Sequence, residues 1–283
     1  MRNLSTSFVL LTVALPLILG AQTPPPAPAY RVLTVFRETV KPGKRVAHNA
    51  HEVAWAKANI AAKNPTPMLA ATAMSGAPET WYMSVFSSWA EYEASNKATS
   101  SNATLSAIDE RFSAKEDEYL SDGRMMVFRF REDLSYGPPA NIAASRYFTI
   151  ARASVRPGHV SEYEEVRKMV KAAHESAHLT DAFSIWESAD GVANGTFLTF
   201  VARKSLAELD SGAAIHGAAY QAALGGPEAQ KKMEGMAASA VINGENNVFA
   251  FVPDQSIPPP EWIAADPKYW KPAAKVATTK ATQ

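Results

Sequence analysis

Apolar and polar residues alternate with a period of two along Val32-Leu-Thr-Val-Phe-Arg-Glu-Thr-Val40. The pattern changes at Pro42-Gly43. From Lys44 to Lys63 it becomes helical, with Val46, Ala50, Val53, Ala54 and Ala61 near one face. The same change recurs downstream, where a strand from Arg146 to Val155 runs into Pro157-Gly158. A helix expected from about His159 to His178 follows, with Val160, Tyr163, Val166, Met169, Val170 and Ala173 on one side. The stretches Arg31–Gly43 and Arg146–Gly158 align residue for residue: Arg, Thr, a second Arg, Val, Pro and Gly coincide at a spacing of 158 − 43 = 115. Such self-similarity reads as a duplicated unit.

The remaining elements follow the same order in both copies. In the first, 68–75 and 80–86 form a hairpin across Gly76-Ala-Pro-Glu79, and Ser88-Trp-Ala-Glu91 opens a helix as a capping box. A further helix runs from about Thr104 to Leu120, and Asp122-Gly123 turns the chain into a last strand, 124–131. In the second, 182–187 and 196–202 make the hairpin and Ser205-Leu-Ala-Glu208 repeats the capping box. Pro227 suits a helical first turn, and Val248–Val252 closes the unit.

Each copy therefore reads as a ferredoxin-like βαββαβ unit, an α+β arrangement with helices on one face of an antiparallel sheet. Phe128, Phe130, Phe249 and Phe251, with Leu33 and Val35, are assigned to the helix side. The opposite faces are expected to cover each other, sheet to sheet, as an intramolecular α+β barrel. The boundaries are 1–21 signal peptide, 22–29 Pro-rich linker, 30–135 first domain, 136–145 linker, 146–253 second domain and 254–283 a largely disordered tail. In that tail Trp262, Tyr269 and Trp270 dock locally and the last ten residues are mobile.

Composition narrows the function. Arg2, the apolar run Phe8–Leu19 and Gly20-Ala21 make a secretory leader cleaved before Gln22, so the mature protein is expected to be exported, periplasmic or extracellular. Pro16 and the shortness of the run argue against a membrane anchor after cleavage. Twenty-eight basic residues balance twenty-eight acidic ones, and no Lys/Arg cluster supports a nucleic-acid partner. There is no cysteine, hence no disulfide framework and no thiol chemistry. No nucleophile elbow, P-loop or dinucleotide fingerprint occurs.

The paired strand–Pro-Gly–helix units, the Ser-Trp-Ala-Glu and Ser-Leu-Ala-Glu helix starts and the closing Val-Phe-x-Phe strands make residues 30–253 resemble the dimeric α+β barrel superfamily. Antibiotic-biosynthesis-monooxygenase-like, NIPSNAP-like and chlorite-dismutase-like proteins belong to it. The resemblance implies an uncharacterised exported tandem type, and a function class ranging from cofactor-free oxygenases through haem enzymes to proteins without known activity. Because the second copy supplies the missing half-barrel, a monomer is expected.

Three constellations could carry chemistry. Thr34, Phe36, Trp81, Met83 and Arg129 are expected to border the inter-sheet space as aromatic walls with one cation, a composition suited to a small apolar or weakly acidic ligand. Arg129 has either such a ligand or an internal partner such as Glu38. His174-Glu175-x-x-His178 satisfies H-E-x-x-H, a zinc-hydrolase pattern, but no third ligand follows at the usual spacing, so surface or helix-end histidines are the plainer reading. His48, His51 and Glu52, beside Trp55, share a helical face and offer either a metal or acid–base set or a solvated polar surface. The expected function is binding of a small apolar or weakly acidic molecule, or another non-catalytic role, without a required cofactor. The alternatives are a cofactor-independent or haem-dependent oxidoreductase, and a zinc hydrolase.

Overall fold

The computed structural model describes residues 30–210 and 217–271. The expected leader and Pro-rich linker, and the last ten residues expected to be mobile, lie outside the described residues.

The first half runs β1 (Val32–Val40), α1 (Arg45–Ala61), β2 (Leu69–Ala73), β3 (Glu79–Phe86), α2 (Trp89–Ser100), α3 (Ala103–Tyr119), β4 (Leu120–Phe130). The second runs β5 (Tyr147–Val155), α4 (Val160–Ser176), β6 (Ser184–Asp190), β7 (Thr196–Arg203), α5 (Ala218–Leu224), α6 (Pro227–Ala240), β8 (Val241–Phe251), and α7 (Pro260–Ala265) and α8 (Pro267–Trp270) end it. β5 begins 115 residues after β1 (147 − 32), and α4 begins 115 after α1 (160 − 45), the spacing of the repeated stretch.

The eight strands close into one antiparallel barrel in the order β1-β3-β2-β8-β5-β7-β6-β4. Each half contributes four neighbouring strands, and the halves are stitched at two seams. Ala71, Thr72 and Ala73 of β2 pair with Phe251, Ala250 and Phe249 of β8, and β4 pairs with β6 from Val127 to Phe130. Two open sheets stacked face to face would leave four edge strands with unpaired backbone groups. Closure satisfies them all.

Closure also decides which face is which. The barrel interior is filled by Leu33, Val35, Phe128, Phe148, Ile150, Leu198, Phe200, Phe249 and Phe251, together with Trp81, Met83 and Trp186. The Phe128/Phe249 side thus faces inward, opposite to the expectation that placed it beneath the helices. An eight-stranded barrel must fill its axis with large side chains contributed by every strand, and the phenylalanine-rich faces do that. The helices instead lie on the outer face, where α1 covers the Glu38 side of β1 and α4 packs Tyr163 and Val170 in one cluster with Phe197 and Ile185.

Helix boundaries follow local chemistry. Ser88 accepts from the Glu91 amide as expected, whereas the Glu91 carboxylate reaches the amide and hydroxyl of Ser87. Ser205 makes no such cap, and the segment after it is a single 3-10 turn, Leu206–Leu209. Asp122-Gly123 is not a turn: β4 leaves α3 directly at Leu120. Residues 254–271 of the tail fold back onto the barrel through Trp262, Tyr269 and Trp270, the aromatics expected to dock it, and the buried Trp270 plugs one end.

Candidate functional site

Residues on β1 point alternately in and out, and two polar sites lie back to back across it. On the inner side, at the barrel mouth away from Trp270, Arg37 and Arg152 line one cleft with Glu79, Glu245 and Asn247, floored by Ala73 and Phe249. These are the second arginines of the repeated stretch, brought together by the closure of the two halves. The cleft encloses about 350 Å3. Arg37 faces Asp122 at 3.1 Å and Glu79 at 3.7 Å, and Arg152 faces Glu245 at 3.0 Å. The Nε of Arg37 is buried without a hydrogen-bond partner. On the rim, Gly76 lies so close to the Asn247 side chain that a Cβ would sit 2.4 Å from its Oδ1.

On the outer side, beneath α1, Glu38 of β1 meets His48 and Glu52. All three are buried, with His48 only 1% exposed, and their ligand atoms all lie within 4.8 Å of one another. His48 Nε2 is 2.6 Å from Glu38 Oε2 and 3.9 Å from Glu52 Oε1. His51 Nε2 is 4.0 Å from the same Glu52 oxygen. Phe112 and Tyr119 of α3 pack on the imidazoles, and Tyr82 of β3 closes the layer, its hydroxyl donating to Gln255 Oε1 at 3.5 Å.

Burial, with the nearby charge of Glu38, pushes the Glu52 carboxyl up to about 8. Burial works against a charged His48, but the hydrogen bond and charge of Glu38 outweigh it and hold the imidazole above its usual value. His51 is lowered, first by burial and then by His48. The Tyr82 phenol stands well above its usual value through burial and the two glutamates.

The sequence candidates are distributed as follows. Trp81 and Met83 face the barrel interior. Thr34 and Phe36 sit on the outer, helix-covered face, because Leu33 and Val35 point inward. Arg129 is also outside and half exposed, paired with Glu187 at 3.3 Å rather than with Glu38. The five do not border one cavity. The reversed facing explains this, since alternation had put Thr34, Phe36 and Arg129 on the wrong side of the sheet. His174 is buried rather than at the surface. Its Nδ1 lies 2.8 Å from the Val170 carbonyl oxygen, and its ring packs among those of Tyr136, Phe183 and Tyr220 at 5.1 to 5.4 Å. Helix α4 ends before His178, which is exposed and left-handed at φ 49°, and Glu175 is exposed. The H-E-x-x-H spacing thus does not produce a pair of imidazoles on one helical face. His48, His51 and Glu52 do converge, and Glu38, ten residues away on a strand, is the member that helical spacing could not reveal.

No protein-family model matches the chain, and no curated protein matches it. Solved structures similar to it include a monooxygenase-like protein from Fusobacterium nucleatum (10% identity, 79% of this chain and 93% of that one, TM-score 0.48). Others are an anthrone oxidase-like protein (13%, 79% and 92%, 0.48) and a chlorite dismutase from Candidatus Nitrospira defluvii (10%, 79% and 92%, 0.42). These are likenesses of the α+β barrel, and no residue role is carried over from them. For the haem implied by the barrel resemblance, an axial ligand needs an imidazole facing a macrocycle-sized space. His48 Nε2 is engaged by Glu38 and His174 is packed among three rings, so neither fits that role.

Proposed function

We propose that this is an exported protein that binds a small, weakly acidic, partly apolar molecule at the mouth of its barrel, between its two halves. The carrying observation is the buried Arg37 Nε, which has Glu79 Oε1 at 3.7 Å but no hydrogen-bond partner, on the wall of a cleft that Arg152 faces from the other half. A ligand carboxylate accepting from Arg37 would supply the missing partner, and Phe249 and Ala73 would receive the apolar part. The volume, near the lower end for ligand clefts, suits a molecule the size of a single-ring aromatic acid.

Melting curves with benzoate and related aromatic acids test the reading. An acid that raises the melting temperature of the wild type should bind Arg37→Ala more weakly by about 1.5–3 kcal/mol, the worth of a charge-assisted hydrogen bond. Arg152→Ala, truncating a partly exposed side chain, provides a second cleft variant that leaves the Arg37 contacts in place. Arg129→Ala should bind like the wild type, since Arg129 lies outside the barrel with Glu187. No shift for the wild type across the panel, or weakening by Arg129→Ala but by neither cleft variant, would remove the proposal. Oxygen uptake in the presence of a bound acid separates simple binding from the cofactor-independent oxidoreductase alternative.

A further inference from the structure

The buried layer under α1 is costly to fold, because two carboxyl groups and an imidazole leave water there. The second half shows that the architecture does not need it. At the positions 115 residues on from Glu38, His48 and Glu52 stand Ala153, Tyr163 and Arg167, and the helix there packs through Tyr163 on Phe197 at 4.7 Å between ring centroids. Something other than helix packing accounts for the charged version.

We propose that Glu38, His48 and Glu52 bind one divalent first-row transition-metal ion, with His51 beside the site, 4.0 Å from Glu52. Donors held at about 2.0–2.1 Å in a tetrahedral shell stand about 3.3 Å apart. The observed separations bracket that value: 2.6 Å from His48 Nε2 to Glu38 and 3.9 Å from His48 Nε2 to Glu52, with all three ligand atoms within 4.8 Å of one another. Modest side-chain rotations close the long gaps and open the short one. The independent sign of an occupant is His51. Its side chain is 7% exposed, its Nε2 is buried without a hydrogen-bond partner, and that nitrogen faces the same Glu52 oxygen that His48 faces.

The donor set selects the ion. Imidazole with carboxylate suits zinc, iron or manganese, whereas calcium and magnesium sites are built from oxygen ligands, often with backbone carbonyls and water. The occupant is a small ion rather than an organic molecule, because the aromatic rings of α3 and Tyr82 close over the donors.

The test uses the whole mature chain, stripped with a chelator and titrated with Zn2+ by calorimetry and with Co2+ by visible absorption. One ion per chain and Co2+ bands of a low-coordinate nitrogen–oxygen site are expected. Glu38→Gln and Glu52→Gln should each weaken binding by about ten- to a hundredfold or more, and His178→Gln, an exposed residue past the end of α4, should not. Should the glutamine variants fail to fold, the wild type alone decides, through paramagnetic broadening of the His48 and His51 ring signals by Co2+ with His159, His174 and His178 unaffected. A stripped wild type that takes up neither ion, an ion retained by both folded glutamine variants, or broadening centred on other histidines would overturn the assignment.

Discussion

At the scale of single residues, the backbone is most constrained where the halves meet. Gly191, between β6 and β7, has φ 70°, and a Cβ there would lie 2.1 Å from the Met125 carbonyl oxygen of β4. Backbone cannot retreat as a side-chain tip can. Gly191→Ala should therefore cost at least the 1–3 kcal/mol (about) of a left-handed non-glycine residue, read as a lower midpoint in urea. Gly43→Ala, with φ 77° but open space around the added methyl, should show the backbone component alone. Part of this scale was legible in the sequence. His48, His51 and Glu52 share a helical face by spacing, and the structure keeps them together. Glu38 was not legible as their partner, because its contact depends on which face of β1 lies under α1, and alternation gives two faces without saying which is covered. The same ambiguity misplaced Thr34, Phe36 and Arg129.

At the scale of elements, two connections hold the halves in register. Arg131, just past β4, binds Asp133 at 2.8 Å, Glu164 of α4, and Glu187 of β6 at 3.1 Å. The Arg131 hydrogen bonds hold the Asp133 carboxyl below its usual value. The folded pKa is depressed, so the contribution is present above the unfolded value of about 3.9 and is lost as pH falls through the folded one. The stability gap between wild type and Asp133→Asn should be constant near neutrality and vanish in acid; a gap that persisted at the lowest pH would point to packing instead. The second connection is α8. Trp270 is buried against the barrel core, and its Nε1 donates to the Ala143 carbonyl at 3.0 Å, fastening the connection between the halves. Trp270→Ala should cost about 3–5 kcal/mol, as for other buried aromatics, whereas a disordered tail would show no effect. Strands and helices read well from periodicity here because each has its own pattern. In the tail only the docking aromatics were legible, since its order comes from one aromatic plug and short proline-started helices rather than from any period.

At the scale of the molecule, sequence alternation announced two sheets in need of cover, and the chain covers them by joining their edges. All eight strands line one interior, where Trp81 of the first half stacks on Phe249 of the second at 4.8 Å and Phe130 on Trp186 at 5.1 Å. Each half keeps only its smaller helix-side cluster once the other is removed, because the inward faces would be exposed and, in the first half, β2 and β4 would become open edges. The whole chain should consequently be a monomer by light scattering and unfold in one calorimetric transition with matching van't Hoff enthalpy. Residues 30–135 produced alone should be unfolded or self-associated, pairing β2 and β4 with a second copy in place of β8 and β6. Two separable transitions in the whole chain, or a stable monomeric half, would show that the seams β2–β8 and β4–β6 join independent domains rather than complete a shared core.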